Sequence, residues 1–474
     1  MKKAMLILFM FIMVIVSACS TTTDGNAGGA QTSNGGQTTS DQVNNGTSTT
    51  SPKGETSGTN NSKEKKTIVF STYFLDDFYV EAKKRYEAKH PNITIDLQYI
   101  EQANENITAA DAEKFVKTMN TAMLSGKGPD LIQMDQLPSG DYIKKELLAN
   151  IGNMIDKDPT FKKEQYFSNV LDGIKVNGGI YGMPMGFFIY GLIGNETVIE
   201  RSGVKIDDSN WNWKQFTDTA KEIVKKTDGN YFALGGVTPE YMIKSLVHDQ
   251  YATFVDLKSR KANFDSAAFI ELLKEVKLML DEKMIREDYD GAIFYSEFIS
   301  SPEYYIRDVK KSEFFSDPYK YKSKLYLKPN ASGQAAGGFF RTYQTIGINE
   351  RSAVKDEAWD FLKFLLSDEM QDQASGFSLN KASYKKIAQD VLKKGKVMSD
   401  QEVGPLKGKE YEVTQKDIDE MERLISSLKY SVEFKPSKIE EILLGESKAY
   451  FTGQKSPEAV AELIQNRVMT VLNE

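Results

Sequence analysis

Apolar residues are spread along this chain in three different ways. Positions 4–16 are apolar without interruption, positions 20–61 are almost entirely Thr, Ser, Gly, Asn, Gln and Asp, and from residue 66 onward apolar and polar residues alternate with the periods of strands and helices. Residues 67–71 form a short β-rich run. Residues 77–90 then carry Phe78, Ala82 and Tyr86 at helical spacing, and Pro91 closes that helix behind His90. Ile93, Ile95, Leu97 and Tyr99 alternate as a strand with one face inward. Residues 113–125 place Phe115, Met119, Ala122 and Met123 on one helical stripe, which Gly126-Lys127-Gly128-Pro129 ends. Residues 130–134 are the third strand. The order βαβαβ predicts a parallel sheet with right-handed crossovers.

The apolar head has its own grammar. Lys2 and Lys3 precede it and Val16-Ser17-Ala18-Cys19 follows it, which is the basic, apolar and small-residue order of a secretory signal. The run falls short of the roughly 20 residues that a membrane span needs. It resembles a bacterial lipoprotein signal, which implies cleavage of residues 1–18 and lipid on Cys19; an ordinary signal or a buried free cysteine is the other reading. Two acyl chains would anchor the mature protein firmly, since each buried methylene contributes about 0.8 kcal/mol. The polar stretch within residues 19–65 has almost no apolar surface to bury and is expected to be a disordered tether. Its mean reach is about 35 to 40 Å.

Residues 66–474 have ordinary globular composition and are too many for a single core, so two lobes are expected. The 60 Lys and Arg against 67 Asp and Glu give a net charge of −7, and loss of Lys2 and Lys3 with the signal leaves −9. That balance argues against a nucleic-acid partner or a basic membrane-binding face. Cys19 is the chain's only cysteine, so no internal disulfide can form.

Six segments in order carry a resemblance. They are Gly128-Pro129-Asp130-Leu131-Ile132, Gly179-Ile180-Tyr181-Gly182-Met183-Pro184, Trp213-Lys214-Gln215-Phe216, residues 358–365 from Ala358-Trp359, Ser378-Leu379-Asn380-Lys381, and residues 450–459 around Thr452-Gly453. With these the chain is similar to the extracellular solute-binding proteins, family 1, of bacterial ABC importers, the carbohydrate-binding group that includes maltose-binding protein. Several of the same residues have a purely structural reading. Trp213 and Trp359 are read as core anchors, Gly453 as a helix cap, and Ser456 as the start of the last helix.

The resemblance implies an α/β fold of two lobes, each a mostly parallel sheet flanked by helices, with several hinge crossings. The crossings are placed near 186–190, 326–331 and 373–379. Lobe 1 is then 66–187 plus about 327–375, and lobe 2 is 188–326 plus about 376–474. Solute is expected at the C-terminal ends of the strands, between the lobes. A sugar needs acids or amides for its hydroxyls and flat rings for its C–H faces. The loop Ser71-Thr72-Tyr73-Phe74-Leu75-Asp76-Asp77 offers both, so Tyr73 and Asp76 are candidates, with Asp76 or Asp77 expected as a helix N-cap. Asp135, Gln136, Phe188, Tyr190 and Phe339 match cleft positions of the family. Arg341, in the stretch 337–341 ahead of a strand over 343–348, could pair with the carboxylate of an acidic sugar or form a salt bridge within the protein. Residues 291–326 are unusually aromatic, with Phe294, Tyr295, Phe298, Tyr304, Tyr305, Phe314 and Phe315, and several of these rings must be core.

The implied function is that of a lipid-anchored receptor on the outer face of a bacterial cell membrane, Gram-positive by the long tether. It would hand a carbohydrate to ABC permease subunits, as a monomer, without cofactor, metal or catalytic residue. The alternatives are a receptor for a peptide or other polar solute, a ligand sensor for a signalling kinase, and a glycoside hydrolase using Asp76 and Asp135. Enzyme motifs have little material. Ser202-Gly203-Val204-Lys205 and Ser383-Tyr384-Lys385-Lys386 fit a Ser-x-x-Lys pattern without its companion motifs, and His90 and His248 stand outside any zinc arrangement.

Overall fold

The computed structural model describes residues 64–100, 109–227, 230–256, 259–317, 319–432 and 438–473. The signal, Cys19 and almost all of the tether lie outside the described residues. The first lobe opens with β1 (Lys66–Ser71), α1 (Asp77–Lys89), β2 (Ile93–Gln98), α2 (Ala109–Leu124) and β3 (Leu131–Gln133). β1 runs parallel to both β2 and β3 and lies between them, as the βαβαβ pattern predicts. Asp76 is the N-cap of α1, accepting a hydrogen bond from the Phe78 N–H at 2.8 Å, and His90 ends that helix with its ring stacked on Tyr86 at 4.1 Å. α2 begins four residues before Glu113, because Ala-Ala-Asp-Ala favours helix while carrying no apolar stripe. β3 is shorter than 130–134. The side chain of Asp130 turns back to accept from the Val69 N–H at 2.8 Å and the Ser352 hydroxyl at 2.6 Å, which pins the strand's start.

The remaining strands are β4 (Met183–Asn195), β5 (Phe232–Gly235), a small hairpin of β6 (Val255–Asp256) and β7 (Lys261–Ala262), β8 (Ala292–Ile299), β9 (Ser323–Leu327), β10 (Gly338–Ile348), β11 (Phe377–Ser378), the separate pair β12 (Lys396–Met398) and β13 (Glu410–Glu412), and β14 (Leu428–Ser431). One continuous sheet runs β2-β1-β3-β10-β4-β8-β5, with β9 and β11 also on β4 and β14 on β10. The outer pairings are parallel, whereas β4 and β10 run antiparallel to each other. These two long strands carry the sheet from lobe to lobe. β10 pairs with β3 through Ile346, Gly347 and Ile348, and β4 pairs with β8 and β9 through Ile189–Asn195.

Two expectations change here. The strand expected over 343–348 begins at Gly338, because residues 339–343 pair one for one with Tyr190 to Gly186 of β4. The crossing expected at 326–331 is made by β10 instead. Residues 323–327 pair within the second lobe, and Asn330 stays there by donating its N–H to Trp211 O at 3.0 Å. β11 pairs with Phe187 and Gly186 in the first half of β4, at the third expected crossing. Gly186 is required at that junction, since a Cβ there would lie 2.3 Å from Ser375 O.

One apolar core, containing Ile68, Phe70, Trp359 and Phe361, continues along one face of the crossing strands through Phe187, Ile189, Phe340 and Phe377. A second surrounds Trp211, Trp213, Phe216 and Phe294. Both tryptophans read as anchors are therefore core. Gly453 adopts φ 75 after the helix Lys438–Phe451, and Ser456 Oγ accepts from the Ala459 N–H to open the helix Pro457–Asn473.

Candidate functional site

Strand alternation gives β4 and β10 a second face. With Phe187, Ile189 and Phe340 committed to the core, Phe188, Tyr190, Arg341 and Tyr343 point the other way and remain half-buried. Phe188 stands opposite Arg341 and Tyr190 opposite Phe339. The Phe188 and Tyr343 rings stack at 5.1 Å, and the Arg341 guanidinium lies 5.8 Å from the Phe188 centroid. Tyr190 stacks on Phe298 of β8 at 4.3 Å and 11°. The result is an aromatic strip running from one lobe to the other.

At the first-lobe end of the strip sits Asp135, just past β3. Its Oδ2 accepts from the Thr345 N–H at 3.0 Å and the Gln133 amide at 3.2 Å. Burial nevertheless pushes its carboxyl up to about 6, against those hydrogen bonds and the field of Arg341. Burial lowers the Arg341 guanidinium in turn, and Asp135 opposes that shift. The Tyr343 phenol is pushed up to about 12 by burial, then by Asp76 and Asp135. Beneath, Asp76 Oδ2 accepts from the Gln344 amide at 2.7 Å. Gln344 is fully buried at φ 51, a left-handed conformation uncommon for a residue with a side chain, in the middle of a crossing strand. Gln344 Oε1, Thr345 Oγ1 and the Tyr79 hydroxyl are buried without a protein hydrogen-bond partner.

A family model described as "Bacterial extracellular solute-binding protein" matches residues 72–372. The chain belongs to that family. Among curated proteins, the lactose-binding protein of Rhizobium radiobacter is 25% identical over 155 residues, which is 32% of this chain and 34% of that protein. The chain thus spans about a third of that relative's length. Among solved structures, the sugar-binding protein MalE from Xanthomonas citri matches with TM-score 0.58 and 15% identity, covering 86% of this chain and 97% of that one. A periplasmic oligogalacturonide-binding protein from Yersinia enterocolitica matches with TM-score 0.58 and 15% identity, over 86% and 99%. These superpositions establish the two-lobed fold. Family membership places the folded domain outside the cytoplasm, and no helix among the described residues is long and apolar enough to cross a membrane.

In this solute-binding protein, the expected residues Asp135, Phe188, Tyr190 and Arg341 come together on the strip, and Asp76 reaches it through Gln344. Gln136 is half-exposed beside Asp135. Tyr73 donates its N–H to Gln133 Oε1 at 3.2 Å, while its ring packs edge-on against Phe115 at 5.4 Å. Phe339 is only 1% exposed, with the Tyr430 ring at 5.4 Å and the Lys328 ammonium 4.6 Å from its centroid. Its ring is therefore covered by the protein itself. Four residues beside these candidates carry no site signal in the sequence reading: Tyr343, Phe298, Gln344 and Lys328. Alternation counted forward from Arg341 would have found Tyr343, whereas the others depend on pairing between distant segments. Neither histidine joins the site. His248 Nδ1 lies 3.1 Å from Glu440 Oε1, and His90 ends α1. Among the described residues no cluster of His, Cys, Asp and Glu could hold a metal ion.

Proposed function

We propose that this protein is a receptor for a carbohydrate, an oligosaccharide by the length of the strip, and that it delivers its solute to an ABC-type importer. The observation that carries the reading is one face of β4 and β10 bearing two stacked aromatic pairs, with the Asp135 carboxylate at its first-lobe end and the Arg341 guanidinium across from Phe188. Rings of this kind cover the C–H faces of a sugar, while Asp135 accepts from hydroxyls and Arg341 donates to ring or hydroxyl oxygens. The names of the lactose-binding and oligogalacturonide-binding relatives point the same way. Because β4 and β10 both join the lobes and line the strip, hinge bending about them would close the second lobe over a bound solute. Contacts made only on closure then drive the change.

A thermal-shift screen against neutral and acidic oligosaccharides tests this, since a ligand of the native state raises its melting temperature. A rise of several degrees with at least one member is expected, and silence across the panel overturns the reading. Lipid on Cys19 would hold the receptor near its permease at high effective concentration. Cys19→Ser should then move the protein from the membrane fraction to the medium; retention in membranes would rule out that anchor.

A further inference from the structure

We propose that Lys328 is a specificity-determining residue. Its ammonium fills an aromatic compartment at the second-lobe end of the strip, and so ends the run of rings on which a solute can stack. This rests on the carbohydrate reading above.

Tyr190 and Phe339 are paired across β4 and β10, and the Trp213 indole joins them from the start of the helix Trp213–Lys226. Lys328, just past β9, places Nζ 4.6 Å from the Phe339 centroid, 5.0 Å from Tyr190 and 6.0 Å from Trp213. Such distances to the first two rings suit a cation over aromatic faces. Asp249 and Ser245, on the helix Pro239–Asp249, fasten it: both Asp249 carboxylate oxygens lie 2.5 and 2.6 Å from Nζ and Ser245 Oγ lies 3.0 Å away. The Lys328 and Asp249 side chains are 2% and 1% exposed. The compartment continues directly into the strip, because Tyr190 is both one of its walls and the half-buried ring stacked on Phe298.

A buried ion pair is a weak way to gain stability, since apolar replacements of similar volume are often neutral or better. Its sharper effect here is geometric. Three polar contacts hold the ammonium where a sugar ring would otherwise reach Phe339. The Trp213 indole N–H, buried without a protein partner, leaves that wall with a donor as well as a face. Solute can therefore reach the Phe188–Tyr343 pair and the Tyr190–Phe298 pair, but no further.

The test is calorimetric titration of the full-length protein and its Lys328→Ala/Asp249→Asn variant with linear maltooligosaccharides of increasing length. Removing both charges avoids stranding the carboxylate. Wild-type affinity is expected to level off at a given chain length, while the variant continues to gain for one more unit, by about fivefold, the worth of one added ring contact. Identical length profiles in the two folded proteins overturn the role of Lys328 and leave the carbohydrate reading standing. Absence of binding to every member by both proteins counts against that reading and takes this inference with it. If the first variant does not fold, Lys328→Val/Asp249→Asn, which leaves a smaller void, answers the same question.

Discussion

Replacing Asp135 by asparagine separates what this side chain does for folding from what it does for binding. Burial raises its carboxyl from the ordinary 3.8 to about 6, even though the Thr345 N–H, the Gln133 amide and Arg341 all favour the charged form. The folded value lies above the unfolded one. As pH rises the unfolded chain therefore loses this proton first, so the group stabilises the fold least at high pH. Its contribution is fully present below about pH 4, declines as pH rises toward 6, and is gone above that value. At about 1.36 kcal/mol per tenfold change in acidity, the penalty at neutral pH is about 2 to 3 kcal/mol. Asparagine keeps the size and an oxygen for the Thr345 N–H and has no charge to bury. Asp135→Asn is thus expected to be more stable than wild type by about 2 to 3 kcal/mol at pH 7.5, with the gap closing toward zero near pH 4. Urea denaturation at pH 4, 5, 6 and 7.5 measures this directly. A gap that does not change with pH, or a less stable variant at pH 7.5, refutes the reasoning. The same variant should bind its solute at least about tenfold more weakly, because a charge-assisted hydrogen bond is roughly twice as strong as a neutral one.

Two further outcomes follow from packing. Lys328→Ala alone leaves Asp249 buried without its cation and should lower stability by about 3 to 5 kcal/mol, with Asp249→Asn added in the same chain restoring much of the loss. A loss below about 1 kcal/mol in urea melts would contradict the buried pairing. Gly186→Ala would place a methyl 2.3 Å from Ser375 O, where backbone cannot yield cheaply, and should reduce stability by about 1 to 3 kcal/mol. An unchanged denaturation midpoint would show that the segment 373–379 is free to move away from β4.

Much of the first lobe was legible because its signals are local. Phe78, Ala82 and Tyr86 repeat at helical spacing, Ile93, Ile95 and Leu97 alternate, and Pro91 and Gly126 end their helices through the backbone alone. The crossing strands were only half legible. Gly337-Gly338 reads as a turn, and what makes residues 338–342 a strand is pairing with β4, some 150 residues earlier in the chain, and with β14. The site divides in the same way. Asp135, Phe188, Tyr190 and Arg341 are candidates that motif position and residue chemistry single out. The cover over Phe339 could not be singled out, since Lys328 meets Tyr190, Trp213 and Asp249 from separate parts of the sequence. Nor does any local pattern announce that Gln344 will take a left-handed backbone in a strand.

The central claim is that solute lies on the aromatic strip of β4 and β10. Calorimetric titration of wild type and Phe188→Ala with whichever oligosaccharide gives the largest thermal shift tests it most directly. The account predicts enthalpy-measured binding with a negative heat-capacity change by wild type, and at least about fivefold weaker binding by the variant at an unchanged stoichiometry. Equal affinities in the two proteins, both folded, would contradict it.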